Sequence, residues 1–82
     1  MSDTLLMLMI QYKAASVKLA DIAESRLGMS PQEAVRQHAL GKLKVPAYRL
    51  NDSQKCPLEV RITDLAELID KSAQAARERM VA

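Results

Sequence analysis

The sequence predicts a single, mainly helical domain that carries one β-hairpin and ends in a long helix. The chain has 82 residues, of which 49% are hydrophobic and 27% are charged, a composition typical of one small folded unit. Two glycines and three prolines divide it into short segments. Three segments repeat their apolar residues at helical spacing, and a fourth alternates apolar and polar residues as a strand does.

The composition also excludes several classes of protein. Cys56 and His38 are the only cysteine and histidine, which is too few for an internal disulfide or a four-ligand zinc site. Tyr12 and Tyr48 are the only aromatic residues, so the stacking surface of single-strand nucleic-acid binders is missing. The apolar run Leu5–Ile10 is too short to span a membrane. With no catalytic motif legible, we expect a cytoplasmic, non-enzymatic protein without cofactor, metal or membrane contact.

The N-terminal segment, Leu5–Tyr12, is predicted to be a short buried helix, although periodicity alone does not distinguish a helix from a strand in so apolar a run. Its candidate N-terminal caps are Ser2, Asp3 and Thr4. The next segment, Lys18–Leu27, is a clearer helix because Leu19 and Ile22 begin an amphipathic repeat. Gly28 follows its end, where a left-handed cap is favoured.

The strongest local signal begins at Ser30, which can cap a helix that has Pro31 in its first position. Glu33 has the spacing to reach back to Ser30 and complete a capping box. This helix is predicted to extend to about Leu40, where Gly41 ends it. The residues predicted to form its apolar side are Val35, Ala39 and Leu43.

The C-terminal half predicts a hairpin followed by a helix. Val45–Leu50 and Leu58–Ile62 are predicted strands, joined by a polar loop over residues 51–57. Thr63 is the candidate cap of a last helix that extends to about Arg79. The apolar stripe of that helix consists of Leu65, Leu68, Ile69, Ala73, Ala76 and Met80.

Two helices joined by a tight, glycine-containing turn predict a helix-turn-helix, and a hairpin directly after the second helix predicts a wing. The whole chain, residues 1–82, is therefore predicted to be one winged helix-turn-helix domain of the type found in MerR regulators and excisionases. The helix over about residues 31–40 would be the recognition helix, and the loop over about 51–57 the wing tip.

The charge distribution favours DNA as a partner. Between Arg36 and Lys55 there are five basic residues and one acid, whereas between Cys56 and Asp70 there are four acids and one base. The residues predicted to pair with base edges are Gln32, Arg36 and Gln37. Those predicted to hold phosphates are Lys42, Lys44 and Arg49, and those predicted to reach DNA from the wing tip are Ser53, Gln54 and Lys55. The charges alone are equally consistent with an ordinary solvated face.

The chain resembles the pyocin activator (PrtN-like) family, and the resemblance covers nearly its whole length. The matching residues are Leu5-Leu6, Gln11-Tyr12, Gly41, Pro46, Arg49, Ser53-Gln54-Lys55, Val60, Asp64-Leu65-Ala66, Ile69-Asp70 and Ala75-Ala76-Arg77. Two segments depart from the family pattern, residues 16–19, where a proline is missing, and residues 56–59, where a glycine is missing. The resemblance implies a nucleoid-associated bacterial or phage-encoded activator that binds double-stranded DNA and switches on phage-tail bacteriocin or prophage genes after DNA damage.

Two other functions remain open from the sequence. An excisionase-like recombination directionality factor would use the same helix and wing to bind cooperatively and bend DNA beside an integrase. A protein-interaction module, such as an antirepressor, would use the apolar N-terminus instead. Because one small domain contacts few base pairs, we expect a homodimer or a head-to-tail homo-oligomer on DNA, with RNA polymerase or an integrase as a further partner.

Overall fold

The computed structural model describes residues 3–81, so the candidate cap Ser2 lies outside the described residues. The fold is mainly helical, with a two-stranded antiparallel sheet and a long C-terminal helix, as predicted. In chain order the elements are α1 (Asp3–Tyr12), β1 (Ser16–Lys18), α2 (Leu19–Ile22), a π-helical turn (Ala23–Leu27), α3 (Pro31–Ala39), β2 (Glu59–Arg61) and α4 (Ile62–Val81).

Each strand of the sheet is followed directly by a helix. β1 and β2 pair antiparallel, and α2 and α4 each follow directly on one of these strands. The N–H of Leu19 donates to the carbonyl of Leu58 at 2.9 Å, and the N–H of Ile62 donates to the carbonyl of Ala15 at 2.9 Å. The first N–H group of each helix is therefore satisfied across the sheet. For this reason α4 begins at Ile62, and the prediction that Thr63 caps it is wrong.

The predicted hairpin is present only as a single bridge. Tyr48 and Glu59 exchange two backbone hydrogen bonds of 2.9 and 2.7 Å, and the rest of Val45–Leu50 is not a strand. Pro46 has no N–H to donate to a ladder, and Val45 is buried in the core. The main partner of β2 is instead β1, whose last residue, Lys18, was predicted to begin a helix.

The core is small and aliphatic. Its buried residues come from every element except β1 and from the segment between α3 and β2, and they are Leu8, Leu19, Ile22, Ala23, Ala34, Val45, Leu58, Val60, Ile62, Leu65 and Ala66. α1 packs antiparallel along the first half of α4, where Thr4 donates a hydrogen bond from Oγ1 to Oδ1 of Asp70 at 2.6 Å. Of α1 only Leu8 is fully buried.

α3 contacts the core through its smallest apolar side chain. Ala34 is fully buried, whereas Val35 is 44% exposed and Ala39 is exposed as well. The prediction that Val35 and Ala39 form the apolar side is therefore wrong, and Leu43 packs on the core only partly, from beyond the helix end. An alanine at the contact lets the α3 backbone lie close to α2, and this close approach turns the neighbouring valine outward.

Two negative findings apply to residues 3–81. No helix in this range is both long and apolar enough to cross a membrane. No three side chains of His, Cys, Asp or Glu in the same range are placed to hold a metal ion.

Candidate nucleic-acid interface

A short turn fixes the start of α3. The helical segment before it ends at Gly28, which has a left-handed φ of 68°. Ser30 then caps α3, since its Oγ accepts a hydrogen bond from the N–H of Glu33 at 3.1 Å, and Pro31 occupies the first turn. The predicted helix start is thus confirmed. The carboxylate of Glu33 does not complete a capping box, because it turns along the helix toward Arg36.

Glu33 binds two of the three predicted base-reading side chains. Its carboxylate accepts from Nε and Nη2 of Arg36 at 2.9 and 2.8 Å, and from Nε2 of Gln37 at 2.6 Å. The hydrogen bonds from Arg36, and secondly from Gln37, lower the pKa of Glu33 from 4.5 to about 2. At neutral pH Glu33 is therefore ionised, and it forms a bidentate pair with the guanidinium of Arg36 on the surface of the helix.

The predicted base-reading residues do not share one face. Gln32, Val35, Arg36 and Ala39 are all exposed and follow the i, i+3, i+4, i+7 spacing of a single helical stripe. We call this stripe the outer face of α3. Gln37 lies on a different side of the helix, is half-buried, and lines a groove next to α4. Gln32 and Arg36 therefore share the outer face, whereas Gln37 lies beside it and is linked to Arg36 through the carboxylate of Glu33.

The chain leaves α3 through a second glycine turn. Gly41 has a φ of 70°, and the N–H of Lys42 donates to the carbonyl of Gln37 at 2.9 Å. This turn presents Lys42 and Lys44, both exposed, directly after the helix. His38 is half-buried and lies beside Lys44 in a shallow depression under the turn.

A groove of about 570 Å³ separates the end of α3 from α4. Its apolar lining residues are Leu27, Met29, Leu43, Leu65, Leu68 and Ile69. Four of its polar lining residues are Arg26, Gln37, Lys42 and Lys44, so three predicted site residues meet here with a third basic side chain. The sequence analysis missed Arg26, although its position two residues before Gly28 places it beside the turn.

The loop after the Tyr48 bridge is held by hydrogen bonds from its own side chains. Arg49 is half-buried, and its Nε donates to the carbonyl of Cys56 at 3.0 Å, which ties the two ends of the loop together. Ser53 forms a turn, since its Oγ accepts from the N–H of Lys55 at 3.2 Å and its carbonyl accepts from the N–H of Cys56 at 3.0 Å. Gln54 and Lys55 are exposed at the tip. The structure thus gives Arg49 and Ser53 roles in shaping the loop, and Gln54 and Lys55 are exposed beside Asn51 and Asp52.

Comparison with known proteins gives one match. No curated protein and no solved structure is significantly similar to this chain. The family model described as "Pyocin activator protein PrtN" matches residues 4–76. This range contains α1 except for Asp3, both strands, α2, α3 and most of α4, together with every predicted site residue. Since the match covers far more than half of the sequence, the chain belongs to the pyocin activator family.

Proposed function

We propose that this protein is a transcriptional activator that binds double-stranded DNA sequence-specifically, with α3 as its recognition helix in the major groove. Membership of the pyocin activator family supports a role in activating transcription. The observation that carries the DNA-binding part is the outer face of α3. It presents Gln32 and Arg36 from the first turns of a capped helix, where hydrogen-bonding side chains can reach purine edges.

The order of elements supports a winged helix-turn-helix interpretation. α2 and its π-helical turn are joined to α3 by a three-residue turn, residues 28–30, and pack against it. After α3 the chain returns to the sheet at Tyr48, and the loop that leaves this bridge comes back at Glu59. In this proposal the loop is the wing, and its tip lies near the DNA backbone.

The basic side chains around α3 supply the contacts to phosphate. Lys42, Lys44 and Lys55 are exposed and form no ion pair within residues 3–81, whereas Arg36 is paired with Glu33. Phosphate contacts position a protein on the duplex without reading its sequence. In this proposal the three lysines supply most of the salt-dependent affinity, and the outer face of α3 supplies the specificity.

We further propose that a second copy of the chain binds the exposed half of α4. Residues 70–81 are all exposed, and they form a helical arm about 18 Å long. An isolated helix of this length is marginal in water, so a partner would stabilise it. In and next to this arm, Ile69, Ala73, Ala76 and Met80 repeat at spacings of four, three and four, the spacing of a coiled-coil seam, whereas Ile62, Leu65 and Ala66 are buried in the core.

The charges beside this stripe favour an antiparallel pair. If Ala73 of one copy packs against Ala76 of the other in an antiparallel pair, Ile69 of each copy lies opposite Met80 of the other copy. The same register places Asp70 of one copy opposite Arg77 of the other, and twofold symmetry makes this attractive pair twice. A parallel pair would lose both attractions.

Sedimentation analysis of charge variants tests the pairing. Arg77→Asp and Asp70→Arg should each weaken the dimer roughly tenfold, because two weak attractions become repulsions. The double variant should recover it. Arg79→Asp, on the other flank, is the matched control and should have a smaller effect. A double variant that stays monomeric would contradict the antiparallel register, and a wild-type monomer at all concentrations would contradict pairing through α4.

A gel shift at two salt concentrations tests the DNA-binding proposal. The probes are random duplex DNA and duplexes from the gene's own neighbourhood, and Lys71→Ala, on the exposed part of α4, is the control variant. We expect tight, salt-sensitive binding to one region, which for an activator lies at a promoter. Binding at an attachment site would favour the excisionase-like function instead.

A complete lack of DNA binding at low salt would overturn the proposal. It would favour a protein-interaction module, for which α1 offers an exposed apolar face of Leu6, Met7, Met9 and Ile10.

A further inference from the structure

The outer face of α3 carries apolar side chains between its polar ones. Val35 is 44% exposed and Ala39 is exposed, and they lie in the same stripe as Gln32 and Arg36. Leu40, at the end of the helix, is 51% exposed. The core does not require these side chains, because Ala34 makes the buried contact of α3. A β-branched residue at Val35 also brings no gain in helix propensity.

An apolar side chain on a helix in the major groove has one chemical partner among the bases. The 5-methyl group of thymine is the apolar group that a base pair presents there. We infer that Val35 and Ala39 contact thymine methyl groups, so that the preferred site contains A·T pairs next to the base pairs contacted by Gln32 and Arg36. This inference rests on the proposed DNA-binding function and names the bases that the outer face of α3 selects.

The hydrogen bonds of Arg36 determine which of its donors can reach a base. Its Nε and one N–H of Nη2 donate to Glu33, so the N–H groups left for a bidentate contact to guanine are those of Nη1 and the second one of Nη2. Val35 and Ala39 lie in the same stripe as this guanidinium. The apolar and the polar contacts are therefore compatible with the conformation that the free protein already has.

Replacement of thymine by deoxyuridine tests the inference, since it removes only the methyl group and keeps every hydrogen-bonding atom. The probe is the consensus duplex selected by the full-length protein from a random library, with each thymine replaced in turn. We expect one or two positions at which binding weakens about fourfold, the change for one methyl-sized group at ~0.8 kcal/mol. Val35→Ala should reduce that loss at one position. Met7→Ala, an exposed apolar residue on α1, is the matched control and should not change it.

Three outcomes would overturn the inference. Specific binding that is insensitive to every uracil replacement would exclude methyl contacts while leaving the proposed function intact. Equal weakening of Val35→Ala on the thymine and uracil duplexes would show that Val35 acts through the fold, which circular dichroism would detect independently. Failure of the wild-type protein to select or bind any duplex would overturn the proposed function and this inference together.

Discussion

α1 and α3 attach to the body in the same way and differ in what they present to solvent. Each has a single fully buried residue, Leu8 in α1 and Ala34 in α3. Of the six exposed residues of α1, four are apolar, namely Leu6, Met7, Met9 and Ile10, and the other two are Asp3 and Gln11. The outer face of α3 combines a glutamine and an arginine with a valine and an alanine.

In the proposed function, the outward chemistry, and not the depth of packing, distinguishes the recognition helix α3 from α1. A mixed polar and apolar stripe matches the major groove, which offers hydrogen-bonding edges and thymine methyl groups. A methionine-rich apolar surface suits an adaptable protein contact. If α3 binds DNA as proposed, substitutions in α1 and in α3 should therefore have separable effects.

The largest expected effect comes from the buried anchor of α1. Leu8→Ala should lower the free energy of unfolding by about 2–5 kcal/mol, because it leaves a cavity in a small core. Met7→Ala, exposed on the same helix, is the control and should change it by less than about 0.5 kcal/mol. Urea denaturation followed by circular dichroism measures both, and below the transition the folded Leu8 variant should bind DNA as the wild type does. A parallel loss of DNA affinity in the folded variant would contradict the separation of α1 from α3.

A second prediction concerns the charged residue of the outer face. Arg36→Ala should weaken specific DNA binding by about 1–3 kcal/mol and non-specific binding much less, because a base contact is lost. Arg36→Lys keeps the charge but not the bidentate geometry, so it should retain non-specific affinity and still lose specificity. Fluorescence anisotropy on specific and random duplexes measures both affinities. Equal losses on the two duplexes would remove Arg36 from base recognition.

The elements that sequence analysis predicted well are those whose signals are local. Ser30 with Pro31 fixed the start of α3, and Gly28 fixed the end of the preceding helical segment, because caps and left-handed turns depend on a few adjacent residues. The pairing of β2 with residues 16–18 depends on contacts more than 40 positions apart, and no local pattern specifies it. The predicted hairpin paired two segments that are closer in sequence than the observed strands are. Pro46 argued against it, because a proline has no N–H to donate to a strand ladder.

The candidate site shows the same limit. Residue types at the right spacing identified Gln32 and Arg36, and these do share a face. The side of α3 that faces the core was predicted wrongly. Val35 was expected to be buried there, because valine is normally buried more often than polar neighbours and is larger than alanine, but Ala34 is buried instead. Close helix packing at Ala34 reversed that preference and moved Gln37 off the outer face. The sequence analysis also did not predict the pairing of Glu33 with Arg36. Glu33 lies three residues from both Ser30 and Arg36, so its spacing fits a capping box and a pair with Arg36 equally well.

A smaller effect is expected at the tip of the proposed wing. Lys55→Ala should weaken specific and non-specific binding alike and reduce the slope of log affinity against log salt concentration by about one unit, because one phosphate contact is lost. Lys71→Ala, an exposed lysine on α4, is the control and should leave the slope unchanged. Titrations at four salt concentrations give the slope. No change for Lys55→Ala would mean that the tip does not contact phosphate, and would restrict DNA binding to α3 and the lysines after it.

The smallest expected effect is the pH dependence that Glu33 gives to α3. Its pKa in the folded protein is about 2, below its usual 4.5, mainly because of the hydrogen bonds from Arg36. A lowered pKa stabilises the folded state above pH 4.5, and this contribution disappears as the pH falls from 4.5 toward 2. The stability difference between the wild type and Glu33→Gln, which does not titrate, should therefore shrink across this range.

The carboxyl carbon resonance of Glu33 measures the same effect directly. Its titration midpoint should lie near 2 in the wild type and rise toward 4.5 in Arg36→Ala, because the first cause of the shift is then removed. A wild-type midpoint near 4.5 would show that Arg36 is not held by Glu33 in solution. The outer face of α3 would then lose the bidentate pair that orients its guanidinium, a feature that α1 does not have.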